Sequence, residues 1–228
     1  MSNPLLEAYN ELPQETKNNL GKVSSIINKP GVHSVKVKDM RVEDGKFLKI
    51  DFEDALGQTA TYVGFLKAND KEKQESTTAR VMNQLTAICN AAGVERNKVL
   101  ANTVEDSITY GDKTVQAVRY PSIVGKNLYI TTYTEIQADS KNAEKAWKVQ
   151  VVDTFKFFDT RKRNALEIAE NAEVGKTLEQ VDEEAKSRVE IKYSDQNNKA
   201  CKALLAILKN TSGSSAAADT EEVDEDDI

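Results

Sequence analysis

The chain has 228 residues, with 31 Lys and Arg against 37 Asp and Glu and a formal charge of −6. At 39% apolar and 30% charged, with no run near the ~18 apolar residues of a membrane span and no apolar leader at its start, it predicts a globular body, neither membrane-inserted nor exported. Two cysteines, Cys89 and Cys201, and one histidine, His33, are too few for a Cys/His zinc site, a disulfide framework or HExxH, and they restrict any Ser-His-Asp triad to His33.

Residues 4–28 carry apolar positions at Leu5, Leu6, Leu12, Leu20, Val23, Ile26 and Ile27, which predicts a helix divided at Pro13 and stopped by Pro30-Gly31. From 33 to 66 the period changes to two. Strands are predicted over 33–42, 46–52 and 59–66, joined by turns at 43–45 and 56–58, so the segment reads as an antiparallel meander. Helical spacing returns over 75–92, with Val81, Leu85, Ile88 and Ala92 on one stripe, Cys89 beside them as a small core residue, and Gly93 as the stop.

Strands resume at 113–120, ended by Pro121, and at 126–137. A longer one spans 147–158 with Val149, Val151, Phe155 and Phe157 on a common face. Beyond Asp159 the pattern is helical: a short piece over 165–172, an amphipathic helix marked by Leu178, Val181, Ala185 and Val189 with a Thr177/Gln180 capping box, and a last helix over about 195–209. The expected fold is α+β: an OB-like antiparallel barrel or sheet with flanking helices. Residues 1–210 form one domain, 211–218 a flexible linker and 219–228 an acidic tail.

The charge is unevenly spread. The last ten residues hold seven acids and no base, which leaves 31 bases against 30 acids in 1–218, a body of net charge +1. Such a block of like charge after a small-residue linker reads as an interaction tail.

Phosphate-loop chemistry is absent, because the glycine that should precede Gly175-Lys176-Thr177 is Glu170; a helix start is the better reading. His33 opens a strand beside a turn and reads as structural. Glu190-Ile191-Lys192 has the spacing of some metal-dependent nucleases, but those enzymes hold the pair on a strand, and here it ends a helical pattern. Asp51, Glu53 and Asp54 read as ordinary acids at a strand end.

The strands interleave cations with aromatic rings, the mixture that single-strand binders use to track phosphate and stack on bases. Lys36, Lys38, Lys49, Arg119, Lys126 and Lys156 are the candidate phosphate contacts. Tyr62, Tyr120, Tyr129, Tyr133 and Trp147 are the candidate stacking rings. The tail residues Asp219, Glu221, Glu222, Asp224, Glu225, Asp226 and Asp227 match a nucleic acid in charge density, and Ile228 closes the run with an apolar side chain for a partner's pocket.

In these features the chain resembles the single-stranded-DNA-binding proteins of short-tailed phages: a body of this size, basic and aromatic strands, a small-residue linker and an acidic tail ending in one hydrophobic residue. Bacterial counterparts carry an aromatic in place of Ile228. The resemblance implies an OB-like barrel that coats single-stranded DNA in phage replication, recombination and repair, without catalysis or cofactor, in the host cytoplasm. It also implies a tail that recruits polymerase, helicase or primase and competes with DNA, and a possible homodimer. The rival readings are a DNA-mimicking or adaptor module that binds a protein, and a metal-dependent nuclease using Glu190 and Lys192.

Overall fold

A computed structural model describes residues 26–68 and 73–213. The tail residues 219–228 and most of the helix expected over 4–28 lie outside them. Where that helix should end, the backbone is instead extended: Ile26 bridges to Thr59, the Ile27 N–H donates to the Thr59 carbonyl at 2.9 Å, and the Ile27 side chain enters the core.

The described chain is α+β, dominated by a large and mostly antiparallel sheet. Strands β1 (Gly31–Glu43), β2 (Phe47–Asp54) and β3 (Thr59–Phe65) form the expected meander. Strand β1 directs Val35 and Val37 inward, then Met40. The register shifts between Val37 and Asp39, so the single extra residue at the bulge moves the inward positions from odd to even numbers. Helix α1 (Gln74–Ala91) lays Val81, Leu85, Ile88 and Cys89 on this core and stops at Gly93, which takes the left-handed φ of +69° that glycine adopts without penalty.

A short helix α2 (Arg96–Ala101) leads into β4 (Val104–Tyr110) and β5 (Lys113–Arg119), a hairpin closed by Gly111 at φ +58°. The sequence reading missed β4 because Asp106 interrupts the alternation of Val104, Ile108 and Tyr110 and the strand is mostly exposed. Strand β5 pairs with the last three residues of β1, and β6 (Asn127–Ala138) with its first six. Between them a 3₁₀ turn at Pro121–Ile123 buries Ile123. The Tyr120 and Gly125 N–H groups flanking this turn donate to the Met40 and Val37 carbonyls, so β1 has no bare stretch on that side.

Strand β7 (Ala146–Phe158) pairs with β6 through a register shift between Ile130 and Thr132. The shift overturns the expected common face: Phe157 sits opposite Ile130 in the core, whereas Val149 and Val151 oppose Glu135 and Tyr133 on the other side. After the short α3 (Ala165–Ala169), helix α4 (Leu178–Ser187) starts at the expected Thr177/Gln180 capping box and packs Leu178 and Val181 on Phe158 and Tyr129. It ends at Arg188. Residues Val189–Ile191 form β8, a parallel partner for Thr134–Ile136, where the sequence reading continued the helix. Helix α5 (Lys199–Gly213) buries Cys201 and runs into the stretch expected as linker. No helix among the described residues is long and apolar enough to cross a membrane.

Candidate nucleic-acid interface

Alternation along β2 sends Leu48, Ile50 and Phe52 into the core and leaves Phe47, Lys49 and Asp51 on the opposite face. On β3, Tyr62 and Gly64 point inward, so Val63 and Phe65 join that outer face. Phe47 and Phe65 oppose each other across the strands and meet edge to face at 5.5 Å. This ring pair separates two hollows. One, of about 590 Å³, is lined by Phe47, Phe65, Ala68 and Thr77 with the exposed cations Lys46, Lys67 and Arg80. No carboxylate pairs with those three cations among the described residues. The other, of about 410 Å³, lies toward the β4–β5 hairpin and is lined by Phe47, Val63, Phe65, Tyr110, Lys49 and Lys113. Its two walls lean together: Lys49 of β2 sits 5.4 Å from the ring of Tyr110 on β4, although β1 and β5 lie between these strands.

The floor beside the second hollow is a charged network. Arg41 donates to Glu43 at 2.8 Å, to Asp39 at 2.8 Å and to Asp51; Lys49 and the Tyr110 hydroxyl also donate to Glu43, at 2.8 and 2.7 Å. Arg119 ties Asp39 to Asp106. Burial alone would raise the Glu43 pKa, but the hydrogen bonds from Lys49, Tyr110 and Arg41 outweigh it and hold the carboxyl at about 2.

A depressed carboxyl stabilises the fold above its unfolded pKa near 4.5, and that stability is lost as pH falls toward 2. Urea melts between pH 5 and 2 should therefore lose on the order of 3 kcal/mol through this group. Glu43→Gln should flatten that part of the profile, and an unchanged profile would remove Glu43 as its source.

The expected contact residues do not converge on one place. Lys36 and Lys38 share this outer face with Lys49 and Arg119, but both are paired to the one Glu53 carboxylate, at 2.9 and 2.7 Å. Lys49 is paired to Glu43, Arg119 to Asp39 and Asp106, and Lys156 to Glu184 at 3.2 Å. Lys126 has no ion pair among the described residues and lies in the turn before β6. Tyr62 is a correction: its ring is 2% exposed and its hydroxyl donates to Gln84 at 2.6 Å, so it is a core residue and its phenol is pushed up to about 12 by burial. Tyr120 packs half-buried against the main core, Tyr129 packs under α4, and Tyr133 is covered by Arg188 at 3.9 Å. Trp147 is 46% exposed, but the β6–β7 hairpin carries it past the start of β1, at the opposite end of the sheet from Phe47.

Sequence reasoning missed Phe47, Phe65, Tyr110, Lys67 and Arg80. The alternation that pointed Leu48 and Ile50 inward already placed Phe47 outward with Lys49, so this signal was present. Lys67 and Arg80 come to the rings only through the loop and helix after β3.

The other motifs resolve structurally. The Nε2 of His33 bonds the Lys29 carbonyl and Thr132 Oγ1, both at 3.1 Å. Glu190 does lie on a strand, contrary to the helical reading. It accepts from Arg188 at 2.8 Å, and no group of three metal-ligating side chains exists among the described residues. Asp51 and Glu53 are taken by Arg41 and the two lysines, and Asp54 caps its turn by accepting from the Leu56 and Gln58 N–H groups. No protein-family model matches the chain, and no curated protein was found to match it.

Proposed function

We propose that this chain is a non-catalytic single-stranded-DNA-binding protein. The approach of β3 to β7 supports reading its sheet as the open form of an OB-like barrel. The observation that carries the reading is the pair of half-buried Phe47 and exposed Phe65 on the outer face, bordered by Lys46, Lys67 and Arg80, three cations without carboxylate partners among the described residues. Rings of this kind stack on bases of any sequence, and only unpaired bases present a free face. Cations not already neutralised gain most from phosphate, because none of their attraction is spent on a neighbouring acid.

On this reading the protein coats single strands during phage replication, recombination and repair in the host cytoplasm. Residues Asp219–Ile228 would recruit polymerase, helicase or primase and compete with DNA for the same cations. The near-neutral body and the acidic tail support that division of labour.

The test is fluorescence anisotropy of labelled oligo-dT and of a duplex across a salt series. Tight, salt-sensitive binding to the single strand and weak binding to the duplex are expected. A single strand gives a slope of about −0.7 per neutralised phosphate in log affinity against log salt, so Lys67→Glu with Arg80→Glu should lower the slope by about 1.4. No binding to oligo-dT, or an unchanged slope, contradicts the assignment.

A further inference from the structure

We infer that the hollow between the β4–β5 hairpin and strands β2 and β3 holds one unpaired nucleobase and favours bases with an exocyclic amino group. The inference rests on the single-strand reading and sharpens it from indifferent coating to a graded base preference.

At about 410 Å³ the hollow falls in the roughly 300–1,000 Å³ range of small-molecule sites. Its apolar lining comes from both ends of the sheet: Phe47, Val63 and Phe65 of β2 and β3, and Tyr110 and the buried Val115 of β4 and β5. Lys49, paired to Glu43, also lines it, together with the exposed Asp44 and the exposed Lys113, the cation left for a phosphate flanking an inserted base. One polar group among the lining residues is both charged and buried, and that is Glu43, 4% exposed.

The chemistry of Glu43 sets the preference. Its Oε1 accepts from Arg41 and the Tyr110 hydroxyl, and its Oε2 accepts from Lys49. A carboxylate offers about four acceptor positions, so one remains. The group is acceptor-only at neutral pH, because its neighbours hold it ionised. A cytosine or adenine amino group supplies the missing donor, as in carboxylate contacts to cytosine N4. The O4 carbonyl of uracil or thymine would instead set lone pairs against the carboxylate, and a buried acceptor left in that state is penalised.

Cytosine and uracil have nearly the same shape and differ at C4 and N3, so the decisive comparison is oligo-dC against oligo-dU of equal length. Anisotropy with the full chain at pH 8, where cytosine stays neutral, should give about tenfold tighter binding to oligo-dC. Glu43→Gln, whose amide both donates and accepts, should cut the ratio below about twofold. Photocrosslinking a strand containing 5-iododeoxycytidine to the unmodified protein gives a readout that needs no variant, and attachment at Phe47 or Tyr110 is expected. Equal affinity for the two strands, or crosslinks confined to residues remote from this hollow, would overturn the inference and leave the single-strand reading intact. Binding to neither strand would instead strike at that reading.

Discussion

Phe65→Ala is expected to weaken oligo-dT binding by about tenfold, with the fold of the protein unchanged. The ring is 53% exposed on β3, so removing it takes little apolar surface out of the core. Loss of a base-stacking ring costs about 1–3 kcal/mol by alanine substitution, and tenfold, about 1.4 kcal/mol, lies in the lower part of that range. Phe47→Ala should weaken binding similarly, since each ring holds the other edge to face, and the double variant should lose less than the two effects summed. Trp147→Ala is the internal control: at the far end of the sheet it should change oligo-dT affinity less than twofold. Anisotropy titrations of the four proteins decide the matter. A large effect at Trp147 with none at Phe65 would move the interface to the β6–β7 hairpin.

Arg41→Ala is expected to destabilise the protein by about 3–5 kcal/mol, the usual cost of removing one partner from a buried charge network. The guanidinium is almost covered and satisfies Asp39, Glu43 and Asp51 at once. Without it three carboxylates crowd one patch with Lys49 and Arg119 as the remaining cations, and the Glu43 charge stays buried. The comparison is Lys98→Ala, which breaks an exposed pair with Glu95 and should cost less than about 1 kcal/mol. Urea denaturation of both variants checks the contrast. Equal, small losses would show that solvent reaches the Arg41 network and that it does not organise the sheet.

The two variants separate binding from scaffold, and the sequence spoke unequally to each. The β1–β3 meander and α1 were legible because their apolar periods are clean and glycines mark the turns. Strand β4 was not, because an exposed strand needs no apolar face and takes its place from pairing with β5. The parity of β7 was lost for a related reason: a bulge against β6 costs no recognisable residue but reverses which side chains reach the core. Val189–Ile191 continued a helical stripe by letter, yet pairing with β6 pulled it into a strand.

The interface shows the same limit. That cations and rings alternate on strands was visible, but which lysines are already paired was not. Glu53 lies 15 and 17 positions from Lys38 and Lys36, and only the pairing of β1 with β2 brings them together. Tyr62 looked like a stacking ring because tyrosine tolerates exposure; its partner Gln84, on α1, is what fixes it inside.

Backbone hydrogen exchange of the full chain with and without oligo-dT tests the central claim most directly, because it locates the contact without altering a residue. Slowed exchange at Lys46–Lys49, at Val63–Lys67 and at the 110–113 turn, with 138–146 unaffected, is the predicted pattern. Slowing confined to 138–146, or none on adding DNA, would contradict the assignment of the Phe47–Phe65 face as the binding surface.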